Sequence, residues 1–118
     1  MSPQPIVITT SARRTVSASN AFGSAFDMDS GPDAYRAWLT QAAESLGGCD
    51  IFIPMISTSG SGQTGDWQKG LDHDIMGSVI GVEVLEPYLE KSDDGSVVIL
   101  SSTAGLETFI VPQGYNAL

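Results

Sequence analysis

The chain has 118 residues, which is room for one small domain. Its formal net charge of −9, from 5 basic and 14 acidic residues, disfavours nucleic acid or an anionic membrane surface as a partner. The sequence shows no signal peptide and no apolar run long enough to span a bilayer, and its one cysteine, Cys49, is expected to be a buried thiol. We therefore expect a cytoplasmic protein.

The first half of the chain predicts two strands with a helix between them. Residues 5–10, PIVITT, and residues 50–56, DIFIPMI, are apolar runs typical of strands. Between them, Pro32 in a first helical turn and apolar residues on one face predict a helix that ends at Gly47. Pro54 leaves two possibilities open for the second strand: the strand stops before the proline, or its edge is remodelled.

The second half predicts a long helix and a further strand. Residues 66–90 have helical character, and Pro87 is expected to kink or end the helix. Residues 96–100 are a short β-branched run between a glycine and two serines, which predicts a buried strand of a parallel sheet. A new helix is expected to begin at Tyr115. This order of elements predicts an α/β domain over residues 1–118, with a parallel sheet and right-handed crossovers.

A loop of serine, threonine and glycine follows the predicted strand 96–100, and open α/β sheets bind ligands at the carboxyl ends of their strands. The run VVILSSTAG, followed by PQGYNAL, resembles the serine–tyrosine segment of the short-chain dehydrogenase/reductase family. Ser102 and Tyr115 have the thirteen-residue separation of that family's serine and tyrosine. The resemblance implies a Rossmann-like, three-layer αβα fold that is incomplete relative to the full family fold.

The resemblance also implies an activity, the interconversion of a carbonyl and an alcohol by hydride transfer with NAD or NADP. Ser102 would hydrogen-bond the substrate oxygen, and Tyr115 would donate or remove its proton. By position in the family, Thr103, Ala104 and Gly105 would border the substrate.

Three positions depart from the family's pattern. The family's lysine would be residue 119, whereas the chain ends at Leu118; without that cation a tyrosine keeps a pKa of about 10, which disfavours proton transfer at neutral pH. Asp74 aligns with the relay asparagine, but a carboxylate accepts hydrogen bonds without donating them. Residues 9–16 contain no glycine, where the family has its phosphate-binding loop. These departures predict a truncated chain with weak or no activity.

Candidate cofactor contacts also come from the resemblance, and no metal site is predicted. VITTSARR resembles the family's second strand, which makes Arg13 and Arg14 candidates for the 2′-phosphate of NADP; two solvated arginines are an equally good interpretation. Residues 24–30, SAFDMDS, resemble the third strand, so Asp27 would contact the adenine; the alternative is an aspartate that caps a helix or turn. Pro54 lies where the family has an asparagine beside the cofactor.

The sequence leaves three functions open. The first is a short-chain oxidoreductase that acts on a small carbonyl or alcohol. The second is a non-catalytic α/β module for oligomerisation or protein interaction, which an exposed apolar stripe on the 66–90 helix would favour. The third is a partial sequence whose missing segments carry the function. A homo-oligomer is expected, because the family's long helix builds subunit contacts and exposed sheet edges promote association.

Overall fold

The structure is a computed structural model that describes residues 6–9, 17–18, 21–57 and 67–107. Its strands are β1 (Ile6–Thr9), β2 (Ser17–Ala18), β3 (Ala21–Phe22), β4 (Ile51–Pro54) and β5 (Ser96–Val97), and its α-helices are α1 (Pro32–Leu46), α2 (Trp67–Gly70) and α3 (Met76–Lys91). A π-helical segment, Leu71–Ile75, joins α2 to α3, and short 3-10 turns occupy Met28–Ser30 and Thr103–Gly105.

The described part of the chain holds a three-stranded parallel sheet with the order β1–β4–β5. Val7 lies opposite Phe52, and Phe52 lies opposite Val97. Strands β2 and β3 form a separate antiparallel pair. The predicted α/β fold with a parallel sheet is therefore confirmed.

The place of β1 corrects one alignment. In the doubly wound order 3-2-1-4-5-6, the strand beside the fourth is the first and not the second. Since β1 pairs directly with β4, the strand that begins VITTSARR takes the first position and not the second. The candidate phosphate contacts Arg13 and Arg14, which follow from the second-strand alignment, lie outside the described residues.

Helix α1 follows the sequence prediction closely. Its first residue is Pro32, and its buried face consists of Tyr35, Leu39 and Ala43, each four residues after the last. Gly47 ends the helix in the left-handed conformation at φ 78°, with its backbone N–H donating to the carbonyl of Glu44.

Residues 67–91 form one continuous helical run from α2 through the π segment to the end of α3. Two glycines on its buried side, Gly77 and Gly81, allow close packing: Ile56 lies against the first and the ring of Phe52 against the second. The helix does not end at Pro87 but continues four residues beyond it to Lys91. Proline has no backbone N–H, so the helical hydrogen bond from residue 87 to the carbonyl of Glu83 is absent, and this single loss does not end the helix.

Two other strand predictions are wrong in part. Residues 24–27 are not a strand, and 28–30 form a 3-10 turn. Of the predicted strand 96–100, only Ser96–Val97 pairs as a strand, and Val97–Leu100 are exposed instead of buried. The reason is that β5 lies at the edge of the sheet, and within the described residues no further strand pairs with it.

The hydrophobic core lies where α1 and α3 pack together over β4. Its fully buried members come from all three elements and include the single cysteine: Tyr35, Leu39, Ala43, Cys49, Phe52, Ile80 and Leu85. The expected burial of the Cys49 thiol is thus confirmed. In the portion of the chain that is described, no helix is both long and apolar enough to cross a membrane.

Candidate functional site

An open pocket of about 700 Å³ lies at the carboxyl ends of β4 and β5. One wall is the end of β4 and the loop after it, residues 54–57; the helical residues 74–79 form the second, and residues 99–105 after β5 form the third. Parallel strands present their carboxyl ends at one edge of the sheet, which explains why segments distant in sequence meet there. This is the edge at which a ligand is expected.

Close packing holds the helix against the loop after β4, two segments that both line the pocket. The carbonyl of Gly77 accepts a hydrogen bond from the buried hydroxyl of Tyr35 at 3.1 Å. A Cβ atom at Gly77 would lie 2.8 Å from Cδ1 of Ile56, so only glycine lets the helix approach that side chain without displacing it.

Ser102 is held at the pocket by a local turn. Its Oγ accepts a hydrogen bond from the backbone N–H of Ala104 at 3.1 Å, and its carbonyl accepts one from Gly105 at 3.2 Å. A hydroxyl that accepts through a lone pair still has its proton to donate. The turn therefore orients an exposed side chain that is able to donate a hydrogen bond to a ligand oxygen.

Asp74 enters the pocket from the π-helical segment Leu71–Ile75. A π segment inserts an extra residue in a helical turn, and such segments occur often at functional sites. Ser78 lies one turn further along the same face and also lines the pocket. The helical wall thus contributes Asp74 and Ser78 to the pocket that Ser102 borders from the loop.

The structure brings five of the predicted site residues together: Pro54, Asp74, Ser102, Ala104 and Gly105 all line this pocket. Thr103 lies in the same 3-10 turn but is not among the lining residues. This convergence is a fact of position, and the chemical role of each residue stays a prediction.

Asp27, the predicted adenine contact, does not line the pocket. Its Oδ1 accepts a hydrogen bond from the backbone N–H of Asp29 at 3.0 Å, so it caps the 3-10 turn Met28–Ser30. The observed role is the capping alternative. Tyr115 lies outside the described residues, as do Arg13 and Arg14.

Several pocket residues were not among the predicted site residues. They are the half-buried or exposed side chains that complete the three walls: Met55, Ile56, Ser57, Ile75, Ser78, Val79, Ile99, Leu100 and Ser101. One signal could have found part of this set, because position 78 lies four residues after Asp74, and positions 75 and 79 are likewise four residues apart. The π segment itself has no sequence signature that separates it from an ordinary helix.

Among the described residues, the pocket lining includes one glycine, Gly105, and no glycine-rich turn of the kind that holds a pyrophosphate. A pyrophosphate is held where a glycine-rich turn leads from the first strand into a helix N-terminus. Strand β1 has the first-strand position, but residues 9–16 contain no glycine, and 10–16 are not described. The sequence after β1 therefore lacks the usual glycine-rich cradle for a pyrophosphate. Within the described residues, no group of three or more histidine, cysteine or acidic side chains could hold a metal ion.

Comparison with curated proteins shows two fungal relatives. Over 93 residues the chain is 38% identical to the isoepoxydon dehydrogenase of Penicillium expansum, a match that covers 78% of this chain and 36% of that protein. The isoepoxydon dehydrogenase of Aspergillus clavatus is 36% identical over 93 residues, with the same coverage. The chain thus spans 36% of the length of each relative. No protein-family model matches it.

Solved structures share the fold at low sequence identity. The aldohexose dehydrogenase of Thermoplasma acidophilum superposes with a TM-score of 0.64 at 17% identity, over 96% of this chain and 45% of that one. A short-chain dehydrogenase from Mycobacterium smegmatis gives 0.63 at 20% identity, over 80% and 41%. ElxO, solved with NADP bound, gives 0.61 at 17% identity, over 78% and 39%. The common feature is a Rossmann-like fold of which this chain holds part.

Proposed function

Because this chain corresponds in sequence and fold to part of a short-chain dehydrogenase/reductase, we propose that its pocket binds a small carbonyl compound or the corresponding alcohol. The observation that carries this proposal is the convergence of five predicted site residues on one open cavity: Pro54, Asp74, Ser102, Ala104 and Gly105. The proposed reaction is the interconversion of that carbonyl and alcohol, for which NAD or NADP, when bound, would supply or accept the hydride. ElxO, a protein of the same fold, was solved with NADP.

Ser102 has the geometry for the substrate oxygen. The 3-10 turn fixes its Oγ at the pocket, and its proton can be donated to a carbonyl oxygen. We assign the proton transfer to Tyr115, on the basis of its separation from Ser102 in sequence. A hydrogen bond to the substrate oxygen grows stronger as negative charge develops there, so Ser102 would favour reduction as well as binding.

We propose that the activity of this chain is weak or absent. Two observations support that view. The residues after β1 lack the glycines of a pyrophosphate cradle, which predicts weak cofactor binding. Asp74 offers only hydrogen-bond acceptors, whereas an asparagine at this position would offer a donor as well. Asp74 therefore cannot bond a water of the proton relay in the same way.

The test is a titration of the purified chain with NADH and NADPH, followed by reduced-nicotinamide fluorescence and calorimetry. Saturable binding tighter than about 1 mM, a standard free energy of about −4 kcal/mol, would support the oxidoreductase proposal and justify a screen of carbonyl substrates. In that screen, Ser102→Ala should reduce turnover by about 10²-fold. Ser45→Ala removes an exposed hydroxyl on α1 and is the matched control. A folded chain that binds neither cofactor would refute the proposal.

A second candidate function is self-association through apolar surface. Trp67, Leu71 and Val79 are 52%, 40% and 41% exposed on the 67–91 helical run, and Val97–Leu100 are exposed after the edge strand β5. Exposed apolar patches and open sheet edges are typical of interaction surfaces. We propose a second copy of the chain as the partner.

Sedimentation velocity over a range of concentrations tests this candidate. Leu71→Glu and Val98→Glu should each shift the population towards monomer, because a charge buried at an interface is costly. Gln41→Glu adds the same charge to the exposed side of α1 and should leave the distribution unchanged. A chain that is monomeric at all concentrations would remove this candidate.

We also propose a cytoplasmic location. The support is the buried, unpaired thiol of Cys49, since free cysteines persist in reducing compartments. A fluorescent fusion found in a secretory compartment would contradict it.

A further inference from the structure

Asp74 is the one charged side chain among the described residues that line the pocket. Around it lie the hydroxyls of four serines and a set of apolar side chains that includes Ile75 and Leu100. We propose that Asp74 selects substrates that carry a hydrogen-bond donor, a hydroxyl or an ammonium, beside the reacting carbonyl or alcohol, and that it rejects carboxylates and phosphates. This inference rests on the proposed function, because it names the substrate class of the same pocket.

The hydrogen-bonding capacity of a carboxylate supports the selection. Its two oxygens have about four acceptor sites and no donor, so a ligand group that meets them must donate. Asp74 already has an interaction within the protein, and the acceptor capacity of a carboxylate exceeds what a single hydrogen bond uses. An asparagine at this position would accept a hydrogen bond at one atom and donate one from the other. It would therefore not distinguish ligands that donate a hydrogen bond from ligands that accept one.

Charge supports the rejection of anions. Asp74 is half-buried, and charges of the same sign at contact distance repel more strongly in such a site than in bulk water. Of the three basic side chains on the same helical run, Lys69 and His73 contact Asp29 at 3.7 Å and 3.2 Å, Lys91 lies at the end of α3, and none of them lines the pocket. In the part of the chain that is described, the lining thus offers no cation to a carboxylate or phosphate.

Asp74 and Ser102 lie on different walls of the pocket, which gives them different roles. Asp74 and Ser78 lie on the helical wall, whereas Ser102 lies on the loop after β5. A substrate whose reacting oxygen meets Ser102 therefore presents its far side to the helix. A second hydroxyl or an ammonium on that side would meet Asp74, and the apolar side chains would contact the carbon skeleton between them.

Four matched ring compounds test the selection: cyclohexanol, vicinal cyclohexanediol, its analogue with an ammonium in place of one hydroxyl, and its analogue with a carboxylate there. Dissociation constants come from chemical-shift titrations of the labelled chain, read at the amides of residues 74–79 and 101–105. We expect the diol and the amino alcohol to bind at least about fivefold tighter than cyclohexanol, because each adds a hydrogen bond to a carboxylate. The carboxylate should bind more weakly than cyclohexanol.

Two variants separate the effect of the Asp74 side chain on affinity from the effect of the overall charge of the chain. Asp74→Asn should reduce the affinity for the amino alcohol by about tenfold and improve that for the carboxylate. Asp72→Asn makes the same charge change at an exposed residue that accepts a hydrogen bond from Gln68 and does not line the pocket, so it should alter neither value.

The outcomes are distinguishable. If all four compounds bind the wild-type chain equally, or if the carboxylate binds tightest, the role of Asp74 is overturned and the substrate pocket stands. The same holds if Asp72→Asn reproduces the effect of Asp74→Asn. If no compound shifts these amides, both the proposed function and this inference are wrong. The wild-type ranking decides the matter even if a variant fails to fold.

Discussion

The contact between α3 and the sheet at Gly81 offers a sharp test of the packing. Gly81 is buried in α3 and faces the ring of Phe52, which is itself 0% exposed. In Gly81→Ala, the new Cβ would lie 2.6 Å from Cε1 of Phe52 and closer still to Cζ. Such separations are too short for non-bonded carbon atoms, so the ring or the helix must move.

The magnitude follows from two opposing effects. Overpacking a well-filled core costs about 1–3 kcal/mol. Alanine stabilises the interior of a helix by about 1 kcal/mol relative to glycine. Because the buried Phe52 ring has little freedom to turn away, we expect Gly81→Ala to lower the free energy of unfolding by about 1 kcal/mol, which corresponds to a melting temperature about 4 °C lower. Thermal and urea unfolding, followed by circular dichroism, measure both quantities.

Two further variants identify the cause. In a Phe52→Leu background the smaller side chain leaves room for the methyl group, so Gly81→Ala should cost less there, with a coupling of about 1 kcal/mol. Gly77→Ala meets the flexible end of the half-buried Ile56 at 2.8 Å, and the helix gain should offset most of its cost. The reasoning is refuted if Gly81→Ala raises the melting temperature, or if it costs the same in both backgrounds.

Three other predictions concern the core. Leu39→Ala should destabilise the chain by about 2–5 kcal/mol, since Leu39 is fully buried, whereas the same change at the 86% exposed Leu106 should stay within about 0.5 kcal/mol in urea unfolding. Tyr35→Phe removes a buried hydrogen bond and should cost about 1 kcal/mol. Tyr88→Phe, whose hydroxyl bonds a carboxylate at the surface, should cost clearly less, and equal costs would contradict this difference. Burial raises the pKa of Cys49 from its ordinary value of 9.0 to about 11, so the folded chain keeps a proton that the unfolded chain loses. The stability of the wild-type chain should therefore fall by up to about 2–3 kcal/mol more than that of Cys49→Ala between pH 9 and 11, and parallel pH profiles would count against the shift.

Part of the fold can be predicted from local sequence, because local physics decides it. The face of α1 repeats every four residues, Pro32 begins the helix, and Gly47 adopts the left-handed conformation that ends it. A short apolar run suffices to identify β4, and the long helical pattern suffices to identify the region that contains α3. In these segments the periodicity, the capping residues and the glycines all favour the same structure.

Other features depend on neighbours that are distant in sequence. Apolar composition suggested a buried strand at 96–100, but a strand is buried only if other elements cover it, and β5 lies at the sheet edge. Similarly, the residues that follow β1 suggested that β1 is the second strand of the family's fold, whereas its pairing with β4 gives it the first position. Strand order is a property of the assembled sheet and cannot be predicted from the sequence of one strand.

Some features of the candidate site likewise follow from local sequence, and others depend on the tertiary structure. The sequence by itself determined that Ser102 follows a strand and that Asp74 lies in a helix, because those are properties of short segments. Only the tertiary structure decided that they share one pocket with Pro54 and that Asp27 caps a turn away from it. The physical reason is that parallel strand pairing brings the carboxyl ends of β4 and β5 to one edge, and the helix packed at Gly77 and Gly81 presents Asp74 there.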